Sequence, residues 1–217
     1  MKKFKRLSIP KRYCEESEQP QQQKQPKTTS ISMEYSDEPN KAIVYIYGDI
    51  QEDDDIVFEE VLKELQYDED GNYNEIKEVE LNISSNGGSL QAGLQIISII
   101  KEMQSKGVKF TGIVKGKAIS MAFLILIVCD VRLARKYSSL MIHPPLISSY
   151  QTDNYVSLQD LRDLTRLLTT DWNIMKELLQ THTKFTKNEI NKIYSQCLDY
   201  YLTVDEAISK HVLDGEL

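Results

Sequence analysis

Three residues, in the order Ser120, His143 and Asp199, have the types and settings that acyl-transfer chemistry uses. The turn Gly116-Lys117-Ala118-Ile119-Ser120-Met121 places a serine between a predicted strand and a predicted helix. A hydroxyl there sits among free backbone N–H groups at the positive end of the helix dipole, where developing negative charge is stabilised. The same serine could equally serve as a plain helix cap. Asn86-Gly87-Gly88 follows another strand and can bring backbone N–H groups close to a ligand. The Gly87 N–H could then supply one oxyanion donor and the Met121 N–H the other, although Asn-Gly-Gly is also an ordinary turn. His143 closes the apolar run Leu140-Met141-Ile142, and with only three histidines in the chain it is one of few general bases near neutral pH. Asp199, in Cys197-Leu198-Asp199-Tyr200-Tyr201-Leu202, could orient that histidine.

Other chemistries find no support. Gly112 to Ala118 (GIVKGKA) has three residues between its glycines where a phosphate loop has four, and it ends in Lys-Ala. No His-Glu-x-x-His or comparable spacing suggests a metal, and no cofactor is expected. Cys14, Cys129 and Cys197 are an odd, scattered set, which fits a reducing compartment such as the cytoplasm.

The elements that must position these residues follow from periodicity. Strands are predicted at 42–47, 79–83, 108–114, 131–134 and 140–142, and helices at 53–65, 90–105, 121–129, 158–181, 187–194 and 204–210. Residues 116–120 are read as a tight turn and 67–75 as a solvated acidic loop. Strands alternating with helices at this spacing indicate an α/β fold with a mainly parallel sheet. Residues 1–40, with the Gln-rich stretch 19–25 and four prolines, are expected to form a disordered extension or propeptide ahead of a catalytic domain at 41–217.

Charge excludes some partners. With 26 basic and 33 acidic residues among 217, the net charge is −7, which argues against general nucleic-acid binding. The charge is uneven: residues 1–12 carry six basic residues and no acidic one, whereas 51–80 carry thirteen acidic residues against Lys63 and Lys77. The longest apolar run, Met121 to Cys129, is far short of the roughly 20 residues that a membrane span needs.

Taken in order, the motifs resemble the proteolytic subunit of the Clp protease. The matching residues are Ile83 to Ser89 with Ala92-Gly93-Leu94, Gly116 to Met121, Met141 to Leu146, His182-Thr183, and Asp199 to Thr203 with Glu206-Ala207 and Val212-Leu213-Asp214. The resemblance implies a ClpP/crotonase-like fold of repeated ββα units with a long protruding helix for oligomer contacts. It also implies a serine endopeptidase with Ser120 as nucleophile, His143 as general base and then acid, Asp199 as orienting carboxylate, and Gly87 and Met121 as oxyanion donors. Gly88, Ser89 and Leu90 on one side and Pro145, Leu146 and Ile147 on the other would bind an extended peptide. Ring-shaped homo-oligomers, heptameric or doubly so, fed by a separate ATP-dependent AAA+ unfoldase are the implied assembly, with ATP used by that partner. Asn86 stands where the family usually has proline, which would loosen the oxyanion turn, and Ser120 and His143 are about two residues closer than usual. These departures mark a divergent member, for which a phage head-maturation role is an alternative. Two further readings stay open: a crotonase-like acyl-CoA enzyme, suggested by Cys129-Asp130-Val131-Arg132-Leu133-Ala134, and a catalytically silent subunit of a mixed ring.

Overall fold

The computed structural model describes residues 29–67, 71–146 and 157–217. Its centre is set by three strands whose side chains alternate between faces, as the two-residue period of extended chain requires. Strand β2 (Lys41–Ile50) buries Ala42, Val44 and Ile46. Strand β3 (Glu78–Gly88) buries Val79, Leu81 and Ile83, and β4 (Lys109–Ile119) buries Phe110, Val114 and Ala118. All three run parallel, and β5 (Val131–Ala134) and β8 (Gly215–Glu216) extend the parallel set. Parallel neighbours need long crossovers. Helices α1 (Asp54–Glu64), α2 (Leu90–Ser105) and α3 (Met121–Ile127) provide them between β2, β3, β4 and β5 in turn. Every residue of α3 is buried, as an all-apolar helix requires.

The expected α/β class is therefore what the chain adopts, but four local expectations change. The extension expected to run to residue 40 gives way earlier to β1 (Ile31–Tyr35), which pairs antiparallel with β2. Ile31 is buried in the core and Met33 packs against it, and the buried Asp54 carboxylate accepts hydrogen bonds from Thr29 Oγ1 at 2.6 Å, Ser30 Oγ at 2.5 Å and Gln51 N at 2.8 Å. Residues 116–120 are not a separate turn, since β4 continues through them to Ile119. The strand is long because it changes partner: Thr111 to Val114 pair with β5, whereas Lys117 to Ile119 pair with β6 (Ser139–Ile142). Two short strands, β7 (Tyr200–Leu202) and β8, are each too brief to give a periodic signal in the sequence. In the acidic loop, Tyr67 and Tyr73 form an isolated bridge with edge-to-face rings, and the tip at 68–70 lies outside the described residues.

Helix α4 (Leu158–His182) opens with a Ser157/Asp160 capping box and closes the far side of the core. Only Trp172, Met175 and Leu179 of this helix are buried, and Trp172 stacks on Tyr194 of α5 (Lys187–Ser195). Its first half protrudes, leaving Leu158 at 75%, Leu161 at 49% and Leu167 at 55% exposed. After α6 (Val204–Ser209), the chain end is fastened by buried Arg132, which pairs with Asp214 at 2.9 Å and donates to the His182 carbonyl at 2.9 Å.

Candidate active site

The change of partner along β4 builds the site. Where the strand leaves β5 for β6, the Ser120 N–H donates to the Met141 carbonyl at 2.8 Å, so the serine is bonded to the strand that leads into His143. Ser120 has φ 57° and ψ −120°, a conformation that costs a non-glycine residue about 1–3 kcal/mol. Its side chain makes no capping bond. The helix-cap reading therefore fails, and the strained turn aims the hydroxyl outward at the start of α3.

The glycine turn lies directly against this elbow. Gly87 has φ +87°, and a Cβ there would sit 2.6 Å from the Ile119 carbonyl oxygen, 2.8 Å from the Met121 nitrogen and 2.8 Å from Ser120 Cβ. Only glycine allows that approach. On the other side, a Cβ at Gly88 would lie 2.2 Å from the Ile50 carbonyl oxygen. The turn is thus held between the end of β2 and the serine. The Gly87 N–H, expected as an oxyanion donor, here donates to Ser85 Oγ at 3.0 Å. Met121 opens α3, so its N–H belongs to the first turn, where amides have no acceptor within the helix.

The loosening expected from Asn86 in place of proline is countered by hydrogen bonds. Asn86 Nδ2 donates to Asp49 Oδ1 at 2.9 Å, and Lys117 Nζ donates to Asn86 Oδ1 at 2.6 Å. Because an ammonium only donates and a carboxylate only accepts, the amide orientation is fixed. The bridge spans β2, β3 and β4 at the ends that carry the turn.

His143 is half-buried, with Nδ1 2.5 Å from the Pro144 carbonyl oxygen. A carbonyl only accepts, so Nδ1 carries the proton, and in the neutral ring the lone pair is then on Nε2, the tautomer a general base needs. The resemblance gives the task of setting that tautomer to Asp199. The pairing of β6 with β7 ends at Ile142 and Tyr200, and the next positions outward are His143 and Asp199. Asp199 is nevertheless exposed, and its carboxylate has no hydrogen-bond or ion-pair partner among the described residues.

A cleft of about 510 Å³ opens in front of these groups. It brings together Ser120, Met121 and His143 with Gly88, Ser89, Leu90, Pro145 and Leu146. Gly87 and Asp199 do not line it, and Ile147 lies outside the described residues. Sequence reasoning missed Asn86 as a wall residue, Leu124 of α3, and Leu167, Leu168, Asp171 and Met175 of α4. The signal for the last group was present, since Leu168, Asp171 and Met175 recur at helical spacing and share one face.

Parallel strand–helix units, with a serine on the turn into a buried helix and a glycine turn packed against it, define a protein of the ClpP/crotonase fold. Among solved structures, a mutant of ClpP1 from Listeria monocytogenes is similar in fold, with a TM-score of 0.64 at 19% sequence identity over 81% of this chain and 90% of that one. No curated protein matches the sequence. The family model described as Clp protease matches residues 27–215, and the chain belongs to the Clp protease family.

Proposed function

We propose that this chain is a serine endopeptidase acting on unfolded polypeptides, with Ser120 as nucleophile and His143 as base and then acid. The observation that carries this reading is Ser120 itself, held at positive φ against Gly87 and sharing one cleft with a histidine whose Nδ1 is engaged by the Pro144 carbonyl. In this reaction Nε2 takes the Ser120 proton as Oγ adds to the peptide carbonyl. The imidazolium then gives that proton to the departing amine, leaving an acyl-serine. Water, deprotonated by the same nitrogen, hydrolyses the acyl-serine. The oxyanion is received by the Gly87 and Met121 amides, once Gly87 N–H turns away from Ser85. Asp199 joins by replacing the Pro144 carbonyl on Nδ1, which the adjacent register of β6 and β7 favours. The peptide lies extended between residues 88–90 and 145–147, gaining affinity from main-chain hydrogen bonds.

Family membership and the exposed leucines of α4 support assembly into rings, with an AAA+ unfoldase consuming the ATP. A cytoplasmic setting suits such a partner. The acyl-CoA alternative loses its residues to structural bonds: Asp130 accepts from Phe110 N at 2.8 Å, and Arg132 is paired with Asp214. The test is labelling with a fluorophosphonate probe. The assembled parent is expected to label and Ser120→Ala not to; a parent that is folded and assembled but does not label sinks the peptidase reading.

A further inference from the structure

One charged group in the cleft has no part in the chemistry above. Asp171 lies on α4 between Leu168 and Met175 and lines the cleft with Leu124, Leu167 and Leu168. It is half-buried and has no hydrogen-bond or ion-pair partner among the described residues. Among the described residues that line the cleft there is no Lys, no Arg and no second carboxylate, and His143 is the other ionisable group. Burial holds the Asp171 carboxyl above the usual carboxylate range, and no neighbouring charge adds to that rise. The group makes no hydrogen bond to His143, whose Nδ1 faces the Pro144 carbonyl.

We propose that Asp171 is the specificity determinant of this cleft, selecting polypeptides that present a Lys or Arg side chain beside the scissile bond. This inference rests on the peptidase reading. A long basic side chain matches both parts of the wall, because its methylenes cover Leu124, Leu168 and Met175 while its cationic head meets the carboxylate. An apolar side chain of the same length would take water from Asp171 and return no partner, a cost that a partly buried carboxylate recovers only from a cation or by binding a proton.

The test compares fluorogenic peptides that differ only in Lys or Leu before the cleaved bond, using the full-length, assembled chain. The ratio of kcat/KM for Lys over Leu is expected to be about fivefold, an upper value for an ion pair open to water, and to fall to about one in Asp171→Asn. A second readout uses Ser120→Ala protein, which binds without cleaving, and fluorescein-labelled forms of the two peptides followed by anisotropy. The Lys peptide is expected to bind more tightly, and Asp171→Asn added to that background is expected to remove the difference. Equal treatment of the two peptides in both assays overturns the inference. So does a loss in Asp171→Asn that falls equally on both peptides with a shifted pH profile, which would assign Asp171 to His143. If neither peptide is cleaved but the binding preference and its dependence on Asp171 hold, the peptidase reading fails and the cation-selective cleft stands.

Discussion

Replacing Gly87 by alanine tests the coupling between the glycine turn and Ser120, and Gly48 provides its control. The two glycines share nearly the same backbone, φ +87° and φ +86°, so an alanine at either incurs the left-handed penalty of about 1–2 kcal/mol. They differ in surroundings. A Cβ at Gly48 meets nothing within 4 Å, whereas at Gly87 it meets backbone at 2.6 and 2.8 Å and Ser120 Cβ at 2.8 Å, roughly 0.8 Å short of ordinary contact for the tightest of them. Those atoms belong to the strand end and to the first residue of a fully buried helix, so they cannot move aside alone. The overlap adds about 1–3 kcal/mol of strain, or it is relieved by a shift of the elbow approaching 1 Å, a displacement that costs about 10²-fold in rate. Gly87→Ala is therefore expected to slow fluorophosphonate labelling of Ser120 about a hundredfold and to lower Tm by several degrees. Gly48→Ala should lower Tm slightly and label as the parent does. The assays are labelling rate by gel and unfolding followed by Trp172 fluorescence. Parent-like labelling in a folded Gly87→Ala chain would refute the packing argument, as would an equal labelling defect in Gly48→Ala.

Asp54→Ala removes the acceptor for Thr29, Ser30 and Gln51 and leaves the buried Ser30 donors unpaired, so a loss of about 1–3 kcal/mol is expected by urea denaturation. Glu189 is pulled down to about 2 by its hydrogen bond to Lys210, against the opposing effect of burial. A depressed carboxylate contributes stability above its unfolded pKa and loses it as pH falls through the folded one, so Lys210→Met should be less stable than the parent near neutral pH, with the difference closing as pH falls from about 4.5 to 2 in pH-dependent urea denaturation. Leu158→Glu with Leu161→Glu places charge on the protruding half of α4 without touching the core; sedimentation should then show smaller assemblies, with the monomer's Tm preserved. Lys117→Met breaks the bridge to Asn86 and should speed hydrogen exchange in the peptide spanning residues 84–90, while exchange in β2 stays as in the parent.

The sequence was most informative where one residue had to meet two constraints. Ser120 is such a position, between a strand and a helix with no polar residue in its first turn, and the structure puts it on a strained junction between β4 and α3. Gly87 and Gly88 were legible for the same reason, because the turn they form admits no side chain. Asp199 rests chiefly on the resemblance, and nothing in its local sequence says that the Pro144 carbonyl stands closer to His143. The bridge through Asn86 reads as slack in the sequence because its partners, Asp49 and Lys117, come from strands 37 and 31 residues away, and pairing across strands leaves no local trace. Strand β1 is hidden in a polar, proline-bearing segment whose two inward residues, Ile31 and Met33, are too few to outweigh composition.

The register of β4 against β6 has a consequence for how this chain can vary. Ser120 and His143 are spaced by three paired rungs, Lys117 with Ser139, Ala118 with Leu140 and Ile119 with Met141, and then by the bond from Ser120 to Met141. None of these spacings depends on how much chain lies between the two residues. A change in the length of the arc through α3 and β5 would therefore leave the geometry of the ladder as it is. Insertions or deletions at the exposed Tyr137 corner should leave Ser120 and His143 in place, whereas a single-residue slip in the ladder would turn His143 to the opposite face of the sheet.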